Sequence, residues 1–220
     1  MEIHRFKQLD YVVRMPKAYA EGKEYPLVIY LHGAGGRGRD TGLIFTHPFF
    51  TDTAPWLEGA VSIAPQCYAD SWFDIFEQLQ EFIDYARSWS CVDITRVYVV
   101  GASMGGYATW QIAMTRPEWF AAIIPICGGG MYWNCHRLKY MGVWAFHGSA
   151  DPAVFIEESK KMVDSVNANG GTAKLTIYEG GGHNAWSETF QTEAVWKWLL
   201  THTAHYQTTK SAYDNVENFG

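Results

Sequence analysis

Short runs of apolar residues alternate with longer amphipathic stretches along most of the chain. The runs lie at residues 27–31, 60–64, 96–100, 123–126, 143–146 and 174–178. Continuous apolar runs of this length are typical of strands that are covered on both faces, because both faces must be shielded from water. We therefore predict a buried strand at each run. The opening segment, residues 3–15, is predicted to form one or two further strands that pair antiparallel at the sheet edge.

The stretches between these runs show the apolar spacing of helices. Residues 72–89 carry a single apolar stripe, and Ser71 with Asp74 resembles a capping box that would open this helix. Three more helices are predicted over 104–116, from Pro152 to Gly170-Gly171, and over 187–200.

This alternation of strands and helices predicts an α/β fold with a mostly parallel sheet and helices on both faces. No Pro-, Gly- and Ser-rich linker divides the chain, so residues 1–200 are predicted to be one domain. Residues 201–220 are polar and weakly periodic. We expect a surface tail there, with an arm that packs on a partner subunit as the alternative.

Composition and charge exclude several classes of protein. The formal net charge of −6 argues against a nucleic-acid-binding face. No apolar run approaches the roughly 20 residues that span a bilayer. The first residues lack a signal-peptide pattern, which favours a cytoplasmic location, although a mature secreted chain would look the same. The oligomeric state stays open, a homodimer included.

The four cysteines do not indicate a metal site, because none lies in a C-x-x-C pair. Without a secretory signal, buried free thiols are expected rather than disulfides.

One motif indicates a catalytic nucleophile. Residues 101–105, Gly-Ala-Ser-Met-Gly, match G-x-S-x-G, follow a predicted strand directly and open a predicted helix. This strand–turn–helix setting is that of a nucleophile elbow, in which small neighbours let the serine oxygen stand clear at the helix N-terminus. Ser103 is therefore the predicted nucleophile. The alternative is a tight turn with an idle serine.

A serine hydroxyl needs a base to take its proton. His183 is the best-placed histidine, because it follows the last predicted strand on the Gly-rich loop 180–182. His147 ends a strand and is expected to be a packed or hydrogen-bonded core residue. His202 and His205 have a spacing that could suit a metal, but no carboxylate or cysteine is near them in sequence, so no metal site is predicted.

The imidazole in turn needs an acidic partner that fixes its tautomer. Asp151 follows the strand that ends at His147, which places it at the same sheet edge as Ser103 and His183. The chain order Ser, Asp, His is the one expected of α/β-hydrolases. A role as helix N-cap before Pro152 is the alternative and is compatible with catalysis.

The Gly-rich segment 32–36 is the candidate oxyanion hole. The backbone N–H of Met104 would supply one donor and that of Ala34 a second, with Gly33 or Gly35 as alternatives to Ala34. A plain strand-end turn is the competing interpretation. A phosphate-binding loop is disfavoured, because no Gly-Lys-Ser/Thr follows.

These motifs resemble those of the α/β-hydrolase esterases, in particular the phospholipase/carboxylesterase and dienelactone-hydrolase-like group. This group is close to feruloyl and acetyl-xylan esterases and to polyhydroxybutyrate-depolymerase-like proteins. The resemblance covers about residues 25–200 and is carried by segments 31–33, 71–74, 101–107, 125–130, 147–151 and 182–186. It implies the α/β-hydrolase fold and ester hydrolysis through an acyl-serine without a cofactor. Dienelactone hydrolases proper use cysteine, so the serine here disfavours dienelactone ring-opening.

The short segment 127–142 leaves no room for a large lid after the fourth of the parallel strands, so an open site is expected. Trp72 and Trp186 are predicted to line it, and such walls suit an aryl group or a sugar face. The expected substrates are esters with small or aromatic acyl groups. Feruloyl or acetyl-xylan esters, an aminoacyl or peptide substrate with the same triad, and a non-catalytic scaffold are the alternatives.

Overall fold

The structure is a computed structural model that describes residues 1–205. Most of the predicted tail, residues 206–220, lies outside the described residues. Residues 201–205 run along the domain surface, where the N–H of Ala204 donates to Thr95 O at 2.8 Å and Tyr98 Oη donates to His202 O at 2.7 Å.

A single mixed sheet forms the centre of the described chain. Its strands in spatial order are β1 (Glu2–Phe6), β2 (Leu9–Arg14), β4 (Val61–Pro65), β3 (Tyr25–Leu31), β5 (Val92–Ala102), β6 (Ala122–Ile126), β7 (Gly142–Gly148) and β8 (Lys174–Tyr178). The pairs β1–β2 and β2–β4 are antiparallel, and every other pair is parallel. The six predicted strands and the antiparallel opening segment are confirmed. The prediction of burial is wrong for β8, which is only partly buried because it lies at the edge of the sheet.

Helices cover both faces of the sheet. They are α1 (Gly42–Phe45), α2 (Pro48–Asp52), α3 (Phe76–Arg87), α4 (Met104–Thr115), α5 (Glu157–Ala168), α6 (Trp186–Gln191) and α7 (Glu193–Leu200). Helices α3, α4 and α5 pack in one apolar cluster, and α2, α6 and α7 pack in the other. Residues of β3 alternate between the clusters, since Leu27 and Ile29 lie in the first and Val28 and Tyr30 in the second. No helix within residues 1–205 has the length and apolar character to cross a membrane.

The predicted start of α3 is wrong by four residues. Ser71 Oγ accepts the N–H groups of Phe73 and Asp74 at 3.2 and 3.4 Å and donates to Asp74 Oδ2 at 2.8 Å, but residues 72–75 form a turn and not the first turn of the helix. The Trp72 indole is fully buried in this turn and donates to His32 O at 3.0 Å. The contact with His32 therefore fixes the orientation of Trp72, although the spacing of Trp72 in the sequence assigns it to the apolar stripe of the helix.

Two other helix boundaries also differ from the prediction. Helix α5 begins at Glu157 instead of near Pro152, because Asp151 Oδ1 accepts the N–H groups of Ala153 and Val154 and closes a separate turn. The predicted last helix is divided at Thr192, where the backbone is extended with ψ of 101°.

Candidate active site

Ser103 lies on a strained turn between β5 and α4. Its φ of 56° and ψ of −117° are unusual for a residue with a side chain, and its N–H donates to Ile126 O at 2.8 Å. Close backbone packing explains the flanking glycines. A Cβ at Gly105 would lie 1.8 Å from Leu31 O, and one at Gly101 would lie 2.2 Å from Gly105 O. The turn thereby presents Ser103 at the N-terminus of α4, as the motif predicts.

The structure brings the three predicted triad residues together. Ser103 Oγ lies 2.8 Å from His183 Nε2, and His183 Nδ1 lies 2.7 Å from Asp151 Oδ2. Because a carboxylate only accepts, Nδ1 carries the hydrogen, and Nε2 is left as the acceptor for the serine hydroxyl. The His183 side chain is 26% exposed whereas that of Asp151 is fully buried, so the chain of hydrogen bonds runs from the surface into the protein.

The surroundings of Asp151 keep it ionised. Burial by itself raises the pKa of the carboxyl, but hydrogen bonds from His183, Val154 and Ala153 outweigh burial and leave the pKa below its ordinary value. The backbone donors are 2.8 Å (Ala153) and 2.9 Å (Val154) from Oδ1. Asp151 therefore presents a negative charge to the His183 ring near neutral pH.

Two backbone amides lie near Ser103 with no acceptor inside their own helices. Met104 is the first residue of α4, and Ala34 is the first residue of a 3₁₀ turn, Ala34–Gly36. Gly33 packs directly on the nucleophile, since a Cβ at Gly33 would lie 3.3 Å from Ser103 Cβ. The loop 32–36, which is predicted to bind the oxyanion, therefore packs against Ser103.

His32 fixes that loop, a role that sequence reasoning missed. Its Nε2 accepts the Cys67 N–H at 2.9 Å, so Nδ1 carries the hydrogen and donates to Gly33 O at 2.7 Å. Burial lowers the pKa of His32 to about 4, which keeps the ring neutral near pH 7. The cue in the sequence was its position directly before Gly33, but its partner Cys67 lies on a distant segment.

Of the two tryptophans predicted to line the site, one is buried and one is partly exposed. The prediction for Trp72 is wrong, because its side chain is fully buried beside His32, with ring centroids 4.9 Å apart. Trp186 is partly exposed and meets the His183 ring edge-on, with centroids 5.5 Å apart. Its contact with substrate stays a prediction. Exposed aromatic side chains also lie on the loops after β6 and β7, at Tyr132, Trp133 and Phe155.

Cys127 and His147 contact the triad from inside the protein, Cys127 at His183 and His147 at Asp151. Cys127 adopts a φ of 48°, and its Sγ–H donates to the His183 carbonyl at 3.1 Å. Burial raises the pKa of this thiol to about 12. His147 is fully buried and hydrogen-bonded to Ser159 Oγ and Val154 O, which confirms the predicted core role. The support of His183 by Cys127 was not predicted.

Cys127, His147 and Asp151 place one potential metal-ligand atom each within 4.8 Å of one another. Each of these residues is already engaged in a hydrogen bond within the protein, and Asp151 Oδ2 is bound to His183. We therefore assign this cluster to the support of the triad and not to a cation. All four cysteines are buried and free.

Comparisons with known proteins found similar sequences and similar structures. The family model described as "Prolyl oligopeptidase family" matches residues 73–130, which include the serine turn. The protein named "Probable feruloyl esterase C" from Aspergillus niger is 24% identical over 201 residues, covering 85% of this chain and 72% of its own length.

Solved structures show the same fold. A thermostable esterase superposes with a TM-score of 0.76 at 30% identity, over 92% of this chain and 63% of that one. Est1E from Butyrivibrio proteoclasticus, solved with ferulic acid, has a TM-score of 0.67 at 18% identity, over 88% of this chain and 94% of that one.

The sheet order and the serine turn after β5 define a protein of the α/β-hydrolase class. Within that class, the chain is similar to esterases and, in fold, to a putative dienelactone hydrolase.

Proposed function

We propose that the chain is a serine carboxylic-ester hydrolase that works through an acyl-serine intermediate. The observation that carries this proposal is the continuous chain of hydrogen bonds from Ser103 through His183 to Asp151. A hydroxyl, an imidazole and a carboxylate in this order activate an alcohol near neutral pH.

In the first half of the reaction, Ser103 Oγ attacks the ester carbonyl carbon while His183 Nε2 takes the hydroxyl proton. The resulting oxyanion accepts hydrogen bonds from the N–H groups of Met104 and Ala34. Asp151 stabilises the imidazolium. When the tetrahedral intermediate collapses, the bond to the alcohol breaks, and His183 returns the proton to the leaving alcohol.

In the second half, water replaces the alcohol. His183 takes one proton from the water as its oxygen attacks the acyl carbon, and the same amides hold the second oxyanion. Collapse breaks the bond to Ser103 Oγ, which recovers its proton from His183. The products are one carboxylic acid and one alcohol for each water consumed, and no cofactor takes part.

Turnover of p-nitrophenyl acetate and butyrate tests the proposal, with Ser103→Ala as the matched control. We expect rapid wild-type turnover and loss of nearly all of it in Ser103→Ala. Equal rates for the two proteins would contradict the proposal. Labelling with a fluorophosphonate probe checks the nucleophile independently, because a folded wild-type protein that resists the probe would favour a non-catalytic scaffold.

For the substrate, we propose esters with small or aromatic acyl groups, with feruloyl esters as the specific candidate. Support comes from two similar proteins: the one named "Probable feruloyl esterase C", and Est1E, which was solved with ferulic acid bound. The partly exposed Trp186 beside His183 offers an aromatic face for such a group.

A comparison of kcat/KM for methyl ferulate, methyl butyrate and acetylated xylan decides between these substrates. We expect methyl ferulate to be preferred over an unactivated alkyl ester such as methyl butyrate. No preference would remove the feruloyl assignment and leave the general esterase. The match to the prolyl oligopeptidase family model favours one further comparison, a panel of aminoacyl-naphthylamides, and faster turnover of these amides would assign a peptidase instead.

A further inference from the structure

His147 lies behind the triad with its side chain fully buried. Its Nε2 is 2.9 Å from Val154 O and 3.3 Å from Asp151 Oδ2. A carbonyl and a carboxylate both only accept hydrogen bonds, so Nε2 must carry a hydrogen.

The other ring nitrogen leaves this conclusion unchanged. His147 Nδ1 lies 2.8 Å from Ser159 Oγ, which lies 2.9 Å from Gly128 O. The single hydroxyl hydrogen of Ser159 can point to either neighbour. It points to Nδ1 when the ring is neutral and to Gly128 O when Nδ1 is also protonated. In both arrangements the Nε2–H remains directed at Val154 and Asp151.

The contacts of His147 reach both oxygens of the Asp151 carboxylate. Oδ2 faces the His147 Nε2–H at 3.3 Å and accepts the stronger bond from His183 at 2.7 Å. Oδ1 accepts the Val154 N–H at 2.9 Å, while the carbonyl of the same Val154 accepts from His147. His147 therefore restrains Oδ2 directly and Oδ1 through the turn that binds it.

We propose that His147 is a positioning residue that fixes the Asp151 carboxylate so that Oδ2 stays in line with His183 Nδ1. The inference rests on the proposed esterase function, and His147 itself touches no reacting atom. A buried carboxylate that lost this restraint could turn about its own bond and weaken its hydrogen bond to His183, which lowers the basicity of the ring.

The other titratable groups around this network come from different elements. They are Cys127 after β6, Tyr107 on α4 and Glu158 on α5. Burial raises the pKa of the Cys127 thiol to about 12, and burial followed by the charges of Glu158 and Asp151 raises the pKa of the Tyr107 hydroxyl. The Cys127 thiol and the Tyr107 hydroxyl are therefore both uncharged near pH 7.5. Neither changes its charge when variants of His147 are assayed at that pH.

The test compares His147→Gln with His147→Asn. The Gln amide reaches the position of Nε2 and can donate to Asp151 and Val154, whereas the Asn amide ends near Nδ1 and can only serve Ser159. Both variants remove the ring. We expect Asn to lower kcat for p-nitrophenyl butyrate by roughly tenfold or more with KM almost unchanged, and Gln to restore most of the loss.

Proton NMR supplies a readout that does not depend on turnover. The hydrogen shared by His183 Nδ1 and Asp151 gives a resonance far downfield, which we expect to persist in His147→Gln and to broaden or vanish in His147→Asn. Equal kcat for the two variants, a change confined to KM, or an undisturbed resonance in His147→Asn would overturn the inference.

His47→Gln is the matched control, because His47 is a partly buried histidine that accepts the Phe49 N–H at 3.1 Å on the other side of the sheet. We expect it to lower the melting temperature without changing kcat or the resonance. If His147→Asn does not fold, Ser159→Ala replaces it. This variant removes the hydrogen bond that holds the ring at Nδ1, so the ring can turn and carry its Nε2–H away from Asp151. We expect kcat to fall several-fold, and a kcat at the wild-type value would overturn the inference.

The outcomes also separate this inference from the proposed function. If the wild-type protein shows no turnover that depends on Ser103, the proposed esterase function is refuted. Normal Ser103-dependent turnover with a fully active His147→Asn would refute only the positioning role.

Discussion

At the scale of single residues, the charge of Asp151 decides which nitrogen of His183 carries the hydrogen. In Asp151→Asn, the amide oxygen can still accept the N–H groups of Ala153 and Val154. The amide NH₂ then faces His183 Nδ1 and forces the hydrogen onto Nε2, which can no longer accept from Ser103. We expect kcat to fall by about 10⁴-fold, as in serine proteases with the same substitution.

Steady-state kinetics with p-nitrophenyl butyrate, together with the melting temperature, check this prediction. The variant should fold, since the turn after Asp151 keeps its acceptor. A kcat within tenfold of the wild-type value would indicate that His183 does not depend on Asp151 for its tautomer.

Single residues also differ in whether their place in the site can be predicted from the sequence. Ser103, Asp151 and His183 were predictable because each follows a strand whose end the sheet topology brings to a shared edge. Trp72 was misjudged, because its burial depends on His32 from a segment far away in sequence. The support of His183 by Cys127 could not be predicted, since it depends on how two separate loops pack.

At the scale of elements, the approach of α4 to the end of β3 leaves no room for a side chain at Gly105. A Cβ there would lie 1.8 Å from Leu31 O and 2.5 Å from Leu31 C, both backbone atoms of a central strand. We expect Gly105→Ala to destabilise the protein by roughly 3 kcal/mol or more, because either the helix or the strand must shift.

Urea unfolding of Gly105→Ala and Gly59→Ala checks this packing argument. A Cβ at Gly59 would meet no atom within 4 Å, so the control variant should unfold close to the wild-type midpoint. Similar midpoints for the two variants would show that α4 does not pack on β3 as closely as the structure has it.

Elements also differ in how far their sequences determine them. The strands were predictable, because a strand buried on both faces must be apolar throughout. The helix boundaries were not, because side chains close local turns that compete with the first helical turn. Asp151 takes the amides of residues 153 and 154 before α5 can start, and the capping pair Ser71 and Asp74 stabilises a turn instead of the first turn of α3.

At the scale of the whole molecule, His32 after β3 and His47 before α2 make stability depend on pH. Burial lowers the pKa of both His32 and His47 to about 4, from an ordinary value of 6.5. Between pH 6.5 and about 4 the unfolded chain therefore binds protons that the folded chain does not. Each histidine then destabilises the folded state by up to about 3 kcal/mol as the pH falls through this window.

We expect the free energy of unfolding, measured with urea from pH 7.5 to 4, to fall with a slope that corresponds to about two extra protons in the unfolded state near pH 5. Asp151 acts in the same direction at lower pH, because a carboxyl whose pKa is depressed by folding stabilises the native state only while it is ionised. His47→Gln should remove about one proton from the slope, since glutamine does not titrate. A slope that is the same in this variant and in the wild-type protein would mean that His47 takes up its proton equally well in the folded state, which its position between Tyr30 and Phe190 argues against.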